Sequence, residues 1–171
     1  VRNAAVVAVT SCTCRLIAGK CHHTLEACIQ IDNAARYTID RGSGREISKD
    51  EALAILRQSE QEGLVHVTIN KAHAGHFICN CCACCCQSLP VMISFGAKIN
   101  DPSRFRAVID PGRCTSCGAC QERCAFKAVE EKDGLYRVLE EQCMGCGVCH
   151  AACPAEAISL IPVRPPEFIP A

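Results

Sequence analysis

Eight cysteines in the C-terminal half of the chain fall into two runs with one spacing, C-x2-C-x2-C-x3-C. The runs are Cys114, Cys117, Cys120, Cys124 and, 29 residues later, Cys143, Cys146, Cys149, Cys153. Thiolates are the ligands that iron–sulfur cubanes require. Three cysteines at three-residue intervals let one tight loop bind three corners of a cubane, while a more distant cysteine binds the fourth. The repeated spacing therefore predicts two [4Fe-4S] clusters.

With their neighbours, the two runs read CTSCGACQERCA and CMGCGVCHAACP, and they resemble the bacterial dicluster ferredoxins over residues 104–161. The resemblance implies that the fourth cysteine of each run binds the other run's cluster. One predicted ligand set is then Cys114, Cys117, Cys120 and Cys153, and the other is Cys143, Cys146, Cys149 and Cys124. A pair of zinc knuckles would need only four thiolates per ion and would not explain the repeated spacing.

The residues that flank the two runs also repeat. Residues 126–129 and 155–158 occupy equivalent positions, and we expect them to pair as short strands beside the clusters. Gly118 and Gly147 each follow the second cysteine of a run. A glycine there lets backbone N–H groups approach the sulfurs closely, which stabilises the more negative cluster state.

Ten further cysteines lie upstream of this repeat. The first segment has the spacing C-x-C-x6-C-x6-C and contains Cys12, Cys14, Cys21 and Cys28, and the second reads CNCCACCC from Cys79 to Cys86. In the second segment Cys79, Cys82 and Cys85 keep the three-residue interval of a cubane loop.

Several metal centres are compatible with these two segments. A third [4Fe-4S] cluster could use Cys79, Cys82 and Cys85 with a fourth ligand from the first segment. Each segment could instead hold its own cluster, or both could hold one larger non-cubane centre. Zinc on Cys12, Cys14, Cys21 and Cys28 is a further alternative, because four thiolates complete a closed tetrahedral site.

The upstream half has a resemblance of its own. The stretches SCTCR, GREISKDEALAILRQSEQEGLVH and ICNCCACCC are similar to a family of multi-cluster iron–sulfur proteins from strict anaerobes. The resemblance implies additional iron–sulfur content. The first residues, VRNAAVVAVTSC, do not have the pattern of a secretory signal, so we expect the cytoplasm of an anaerobe rather than a disulfide-rich secreted protein.

Composition narrows the possible partners. Lysine plus arginine and aspartate plus glutamate each number 18, and the charges are interspersed. This balance argues against binding to nucleic acid or to an anionic membrane surface. No apolar run approaches the roughly 20 residues that span a bilayer. Eighteen cysteines beside only five phenylalanines, two tyrosines and no tryptophan indicate that metal supplies much of the internal scaffolding.

The remaining patterns predict the elements that position these cysteines. They favour a buried strand at residues 4–10, a helix from Thr24 to about Arg41, a helix capped by Ser48 and ended by Gly63, and a strand at 64–69. Residues 70–75 are expected to connect to the second cysteine segment, and residues 104–109 to form a strand that enters the cluster repeat.

The predicted fold class is α+β: a small Cys-rich α/β region followed by a pseudo-symmetric two-[4Fe-4S] ferredoxin-like domain. The predicted organisation is a Cys-rich domain at 1–100 with an additional metal or iron–sulfur centre, a dicluster domain at 101–161 and a proline-rich tail at 162–171.

The predicted function is electron transfer, in which single electrons pass through the clusters to a larger redox enzyme or complex. Two alternatives stay open: an enzyme with an unusual catalytic cluster on the upstream cysteines, or a redox or metal sensor. No cysteine has the Cys-His-Asx context of a nucleophile, so no catalytic residue is predicted.

Overall fold

The computed structural model describes residues 1–71 and 76–170, and the chain folds as a mixed α+β structure. It divides into two compact units. The first comprises Val1–Pro90 together with the residues from Ile169 onward, and the second comprises Val91–Phe168. The predicted boundary near residue 101 stays a prediction. Within the described ranges, no helix is both long and apolar enough to cross a bilayer.

The first unit is built on a five-stranded antiparallel sheet with strand order β3-β1-β2-β5-β4. The strands are β1 (Val7–Ser11), β2 (Glu26–Ile31), β3 (Arg45–Glu46), β4 (Val65–Thr68) and β5 (Phe77–Cys81). The helices are α1 (Thr13–Ala18), α2 (Asn33–Asp40), α3 (Lys49–Gln61) and α4 (Leu89–Phe95), the last of which runs across the division between the units.

The core of the first unit lies between the sheet and α3. Val9, Ile29 and Ile31 lie on one face of the central strands and pack with Ala52 of α3. Side chains alternate between the faces of a strand, so this face takes every second residue of β1 and β2. The buried strand predicted at residues 4–10 is confirmed for residues 7–10, whereas residues 4–6 precede β1.

The helix predicted from Thr24 to Arg41 is wrong in its first half. Residues Glu26–Ile31 form strand β2, and only Asn33–Asp40 form helix α2. Along β2 every second residue is buried, from Ala27 through Ile29 to Ile31, which is the two-residue period of a strand. Cys28 therefore lies in the sheet.

Helix α3 is confirmed together with its predicted cap. The Ser48 hydroxyl accepts a hydrogen bond from the Glu51 backbone N–H at 3.0 Å. The Glu51 carboxylate pairs with Arg45 at 2.7 Å. The predicted strand at 64–69 is confirmed as β4, while the connection predicted at 70–75 lies largely outside the described residues.

The second unit contains two small antiparallel sheets and two short helices. Strand β6 (Phe105–Ile109) pairs with β9 (Ile158–Pro162), and β7 (Val129–Lys132) pairs with β8 (Leu135–Val138). The helices are α5 (Ala119–Arg123) and α6 (Val148–Ala152), and a short 3-10 helix follows at Pro166–Phe168.

The predicted entry strand at 104–109 is confirmed as β6. The predicted pairing of 126–129 with 155–158 is wrong. Val129 begins β7, which pairs with β8, whereas Ile158 begins β9, which pairs with β6. Asp133 and Gly134 are both at positive φ and form a two-residue turn. This turn brings β8 directly alongside β7, so β7 pairs with the strand that follows it.

Candidate metal centres

The two cysteine runs of the second unit have the same local construction. In each run a glycine at positive φ precedes a short helix, with Gly118 at 77° before α5 and Gly147 at 82° before α6. Each helix ends at the fourth cysteine of its run, Cys124 or Cys153, whose backbone is extended. The repeated spacing thus produces a repeated loop, helix and cysteine.

Each run borders a separate cavity whose fourth cysteine comes from the other run. One cavity is lined by Cys114, Cys117, Cys120 and Cys153. The other cavity is lined by Cys143, Cys146, Cys149 and Cys124. The chain thereby brings together the two groups of four thiols that the ferredoxin resemblance implied.

Electrostatics within the cavity that Cys149 lines reflect the same grouping. Burial, together with the neighbouring thiolate charges of Cys146, Cys124 and Cys143, raises the pKa of Cys149 to about 12. Burial likewise raises the pKa of Cys146, with a contribution from Cys124. Crowding four thiols in an apolar space opposes their ionisation unless a cation compensates the charge.

Backbone donors reach the fourth sulfur at both sites. The Ala128 N–H donates to Cys124 Sγ at 3.2 Å, and the Ala157 N–H donates to Cys153 Sγ at 3.3 Å. Hydrogen bonds of this kind stabilise a thiolate and tune the centre that it binds.

The model of the 4Fe-4S dicluster domain family matches residues 107–160, entirely within the second unit. These residues form a dicluster [4Fe-4S] ferredoxin module. A protein named ferredoxin from Pyrobaculum islandicum is 41% identical to the chain over 63 residues, which cover 36% of this chain and 59% of that protein. The chain thus spans less than two thirds of that relative, and the assignment applies to the ferredoxin module alone.

The chemistry of the two cavities in the ferredoxin module fits a cubane. Each cavity offers four thiols, the number that a [4Fe-4S] cluster requires. The remaining walls are largely small or apolar, with Ala107, Val129 and Val148 around one cavity and Ile109 and Ala157 around the other. Such walls exclude water and lower the local dielectric constant around the thiolates.

The upstream cysteines of the first unit divide into two groups. The four-thiol group consists of Cys21, Cys82, Cys84 and Cys85, whose Sγ atoms all lie within 4.8 Å of one another. Cys21 Sγ is 3.9 Å from Cys82 Sγ and 3.6 Å from Cys85 Sγ, and Cys84 and Cys85 are 3.7 Å apart. Cys82 and Cys85 are each 5% exposed and pack with Leu64.

Arg15 of α1 lies beside the four-thiol group. Its side chain is buried, and it donates to the backbone carbonyls of Thr24 and Asn80. Burial lowers its pKa, but a hydrogen bond to Cys82 and the nearby thiolate charges outweigh this and leave the pKa raised. Among the described residues, the structure records no carboxylate partner for Arg15, and its Nε has no hydrogen-bond partner.

The six-thiol group is more extended. It consists of Cys12, Cys14, Cys28, Cys79, Cys81 and Cys86, which interact with one another through hydrogen bonds or thiolate charges. Ile29 of β2 lies opposite Ile78 of β5, so the same register continued by one residue places Cys28 opposite Cys79. Cys81 follows on the same face of β5.

Protons are shared unequally along the six-thiol group. Hydrogen bonds from Cys28 and Cys81 lower the pKa of Cys79 to about 3, and a bond from Cys81 is the main cause that lowers the pKa of Cys86 to about 5. The pKa values of the donors Cys28 and Cys81 are raised correspondingly. These hydrogen bonds favour the thiolate form at Cys79 and Cys86, and thiolate is the form of cysteine that binds metal.

The structure groups the upstream cysteines differently from the grouping that their spacing along the chain predicts. Cys82 and Cys85 lie with Cys21 and Cys84, whereas Cys79 lies in the six-thiol group. The alternative of zinc on Cys12, Cys14, Cys21 and Cys28 is likewise split, because Cys21 belongs to the four-thiol group. The predicted ligands did not include Cys81, Cys84 or Cys86, and no sequence pattern indicated Arg15. The two-residue period of a strand could have predicted Cys81 as a partner of Cys79, because it places both side chains on the same face of β5.

Proposed function

We propose that this chain is an iron–sulfur electron-transfer protein whose ferredoxin module carries two [4Fe-4S] clusters. The observation that carries the proposal is the pair of cavities, each bordered by four thiols drawn from both cysteine runs. The proposed ligand sets are the crossed ones, Cys114, Cys117, Cys120 and Cys153 for one cluster and Cys143, Cys146, Cys149 and Cys124 for the other.

When bound, a cluster of this type supplies reversible one-electron chemistry. The residues of the chain bind it, exclude water and set its potential. Four thiolates complete the coordination of each cubane and leave no iron position for a substrate. The N–H donors of Ala128 and Ala157 stabilise the more negative, reduced state.

An upstream iron–sulfur centre on the six-thiol group is part of the proposal. In residues 1–71 and 76–170, the four-thiol group is the only set of three or more candidate ligand atoms mutually within 4.8 Å. The thiols of the six-thiol group are therefore spread more widely than one ion can bridge, and a polynuclear centre suits that spread. Thiolate ligands favour iron–sulfur chemistry there.

A larger redox enzyme or complex is the proposed partner, because an electron carrier needs a donor and an acceptor. Cys117 is the one exposed thiol among the eighteen cysteines. We therefore propose the surface near Cys117 as the place where a redox partner docks. None of the eighteen cysteines forms a disulfide in the structure, which supports a reducing compartment such as the cytoplasm of an anaerobe.

Anaerobic purification followed by iron and acid-labile sulfide analysis tests the proposal. We expect about eight irons and eight sulfides per chain from the ferredoxin module, with more if the six-thiol group is loaded. The dithionite-reduced protein should show paramagnetic cubane signals and should return its electrons to an oxidising dye. Folded protein that is colourless and free of iron would refute the proposal. A signal that changes when small-molecule ligands are added would favour the catalytic alternative on the six-thiol group.

A further inference from the structure

We propose that the four-thiol group binds a single tetrahedral divalent cation, zinc or ferrous iron, as a mononuclear site distinct from the iron–sulfur centres. The proposed ligands are Cys21, Cys82, Cys84 and Cys85. This site goes beyond the proposed electron transfer and does not depend on it.

The sulfur–sulfur distances carry the argument. In a tetrahedral zinc thiolate site the metal–sulfur bonds are about 2.3 Å long, which places neighbouring sulfurs about 3.8 Å apart. Three of the sulfur–sulfur separations in the four-thiol group are 3.6, 3.7 and 3.9 Å. Four sulfurs at this spacing enclose one ion.

The ferredoxin module provides an internal comparison. Its thiols line two cavities, and no three of them come within 4.8 Å of one another in the described part of the chain. A cubane places four irons and four sulfides between its thiolates, so its ligands must stand further apart than those of one ion. The same chain thus arranges cysteines at two different spacings, and only the four-thiol group has the narrow one.

Arg15 is the second, independent observation. Arg15 is 2% exposed, its side chain hydrogen-bonds Cys82, and it lies close enough to Cys21 for their charges to interact. A buried cation is costly unless negative charge faces it. Four thiolates around a divalent cation carry a net charge of about −2. Arg15 therefore has its counter-charge when the four-thiol group is ionised and metal-bound.

The position of the group in the fold indicates a structural ion. Cys21 follows α1, and the other three ligands follow β5, so one ion ties the helix end to the sheet. Leu64 and Ala18 pack against the thiols. With four protein ligands the coordination is closed, as in structural zinc sites.

Metal analysis of the native protein is the first test. We expect either one zinc per chain or one iron in excess of sulfide, because a cubane contains the two in equal number. X-ray absorption at the zinc edge should show four sulfurs at about 2.3 Å and no neighbouring metal. In the ferrous case, oxidation should produce a high-spin ferric signal. Equal iron and sulfide with no zinc would overturn the proposal.

Matched cysteine variants test the ligand set. Cys84→Ala should lose the single ion while the ferredoxin clusters remain. Cys86→Ala removes a thiol of the six-thiol group only two residues away, and it should keep the ion. If Cys84→Ala instead removes iron and sulfide in equal amounts, the group holds a cluster. If both variants lose the ion, the two thiol groups form one centre. Either result overturns the proposal.

Arg15 is tested as a positioning residue. Arg15→Met should accelerate extraction of the ion by a chelator about tenfold to a hundredfold, the usual effect of removing a group that supports a metal ligand. It should also raise the pH at which the ion is released, because the thiolates lose their nearby cation. Arg15→Lys keeps the positive charge, so its extraction rate and its release pH should both be close to those of the unmodified protein. Equal extraction rates and release pH in all three proteins would overturn the assignment to Arg15.

Discussion

Gly145 lies between two cysteines of the second cluster loop, and replacing it tests the packing of that loop. Its φ is 63°. A Cβ at this position would collide with the Phe105 carbonyl group, whose carbon would be 2.8 Å away, and would lie 2.5 Å from Ser103 Oγ. Phe105 begins β6, which pairs with β9. The obstacle is therefore strand backbone, which cannot rotate away as a side chain would.

Gly134 provides the matched control. Its φ is 78°, and a Cβ there would meet nothing within 4 Å. Alanine at positive φ costs about 1–2 kcal/mol at either position. Overpacking adds about 1–3 kcal/mol at Gly145 only. We therefore expect Gly145→Ala to destabilise the protein by roughly 2–5 kcal/mol and Gly134→Ala by roughly 1–2 kcal/mol.

The assay is the rate at which the visible cluster absorbance bleaches in guanidinium chloride under anaerobic conditions. Cluster loss makes unfolding irreversible, so a rate is the appropriate measure of stability. Gly145→Ala should bleach faster than Gly134→Ala, which should bleach faster than the unmodified protein. Equal rates for the two variants would show that the Phe105 carbonyl does not pack against Gly145, and the reasoning would be refuted.

Three further predictions concern ligation, capping and a buried amide. Crossed ligation predicts that the double variant Cys153→Ala with Cys117→Ala loses one cluster, because both thiols line the same cavity. The double variant Cys153→Ala with Cys146→Ala should lose both clusters, because these two thiols line different cavities. Iron and sulfide analysis measures the loss, and loss of two clusters in the first variant would show uncrossed ligation. Ser48→Ala should destabilise the protein by about 1 kcal/mol through loss of the helix cap, and an unchanged thermal midpoint by circular dichroism would contradict this. Asn80→Leu should lower the free energy of unfolding by about 1–3 kcal/mol, because a buried backbone carbonyl would lose the hydrogen bond that the Asn80 side-chain amide donates to it. A thermal midpoint equal to that of the unmodified protein would argue against this hydrogen bond.

Local patterns in the sequence were sufficient for the ferredoxin module and for helix α3. Within each cysteine run, twelve or fewer residues contain the loop, the helix and the fourth thiol, so short-range spacing determines the local shape. The Ser48 cap is likewise a contact between residues three positions apart. Structural features that involve only residues close together in the sequence depend little on the rest of the fold.

Strand pairing was harder to predict because the choice of partner is not local. Residues 126–129 and 155–158 look equivalent, yet Val129 joins a hairpin with the segment that directly follows it, and Ile158 joins the distant strand β6. Cys28 presented a related difficulty. A six-residue strand and one face of a helix differ little in hydrophobic pattern, and the pairing of β2 with β1 decides between them.

By itself, the sequence determined that the chain is rich in metal-binding thiols and that eight of them form a dicluster module, because ligand chemistry and spacing are both written locally. Only the tertiary structure decided how the ten upstream cysteines divide. The alternation of β5 places Cys79 and Cys81 on one face of the sheet with Cys28, and the turn after β5 carries Cys82 to Cys21. Spacing along the chain cannot specify this division, because it depends on which distant segments the sheet brings together.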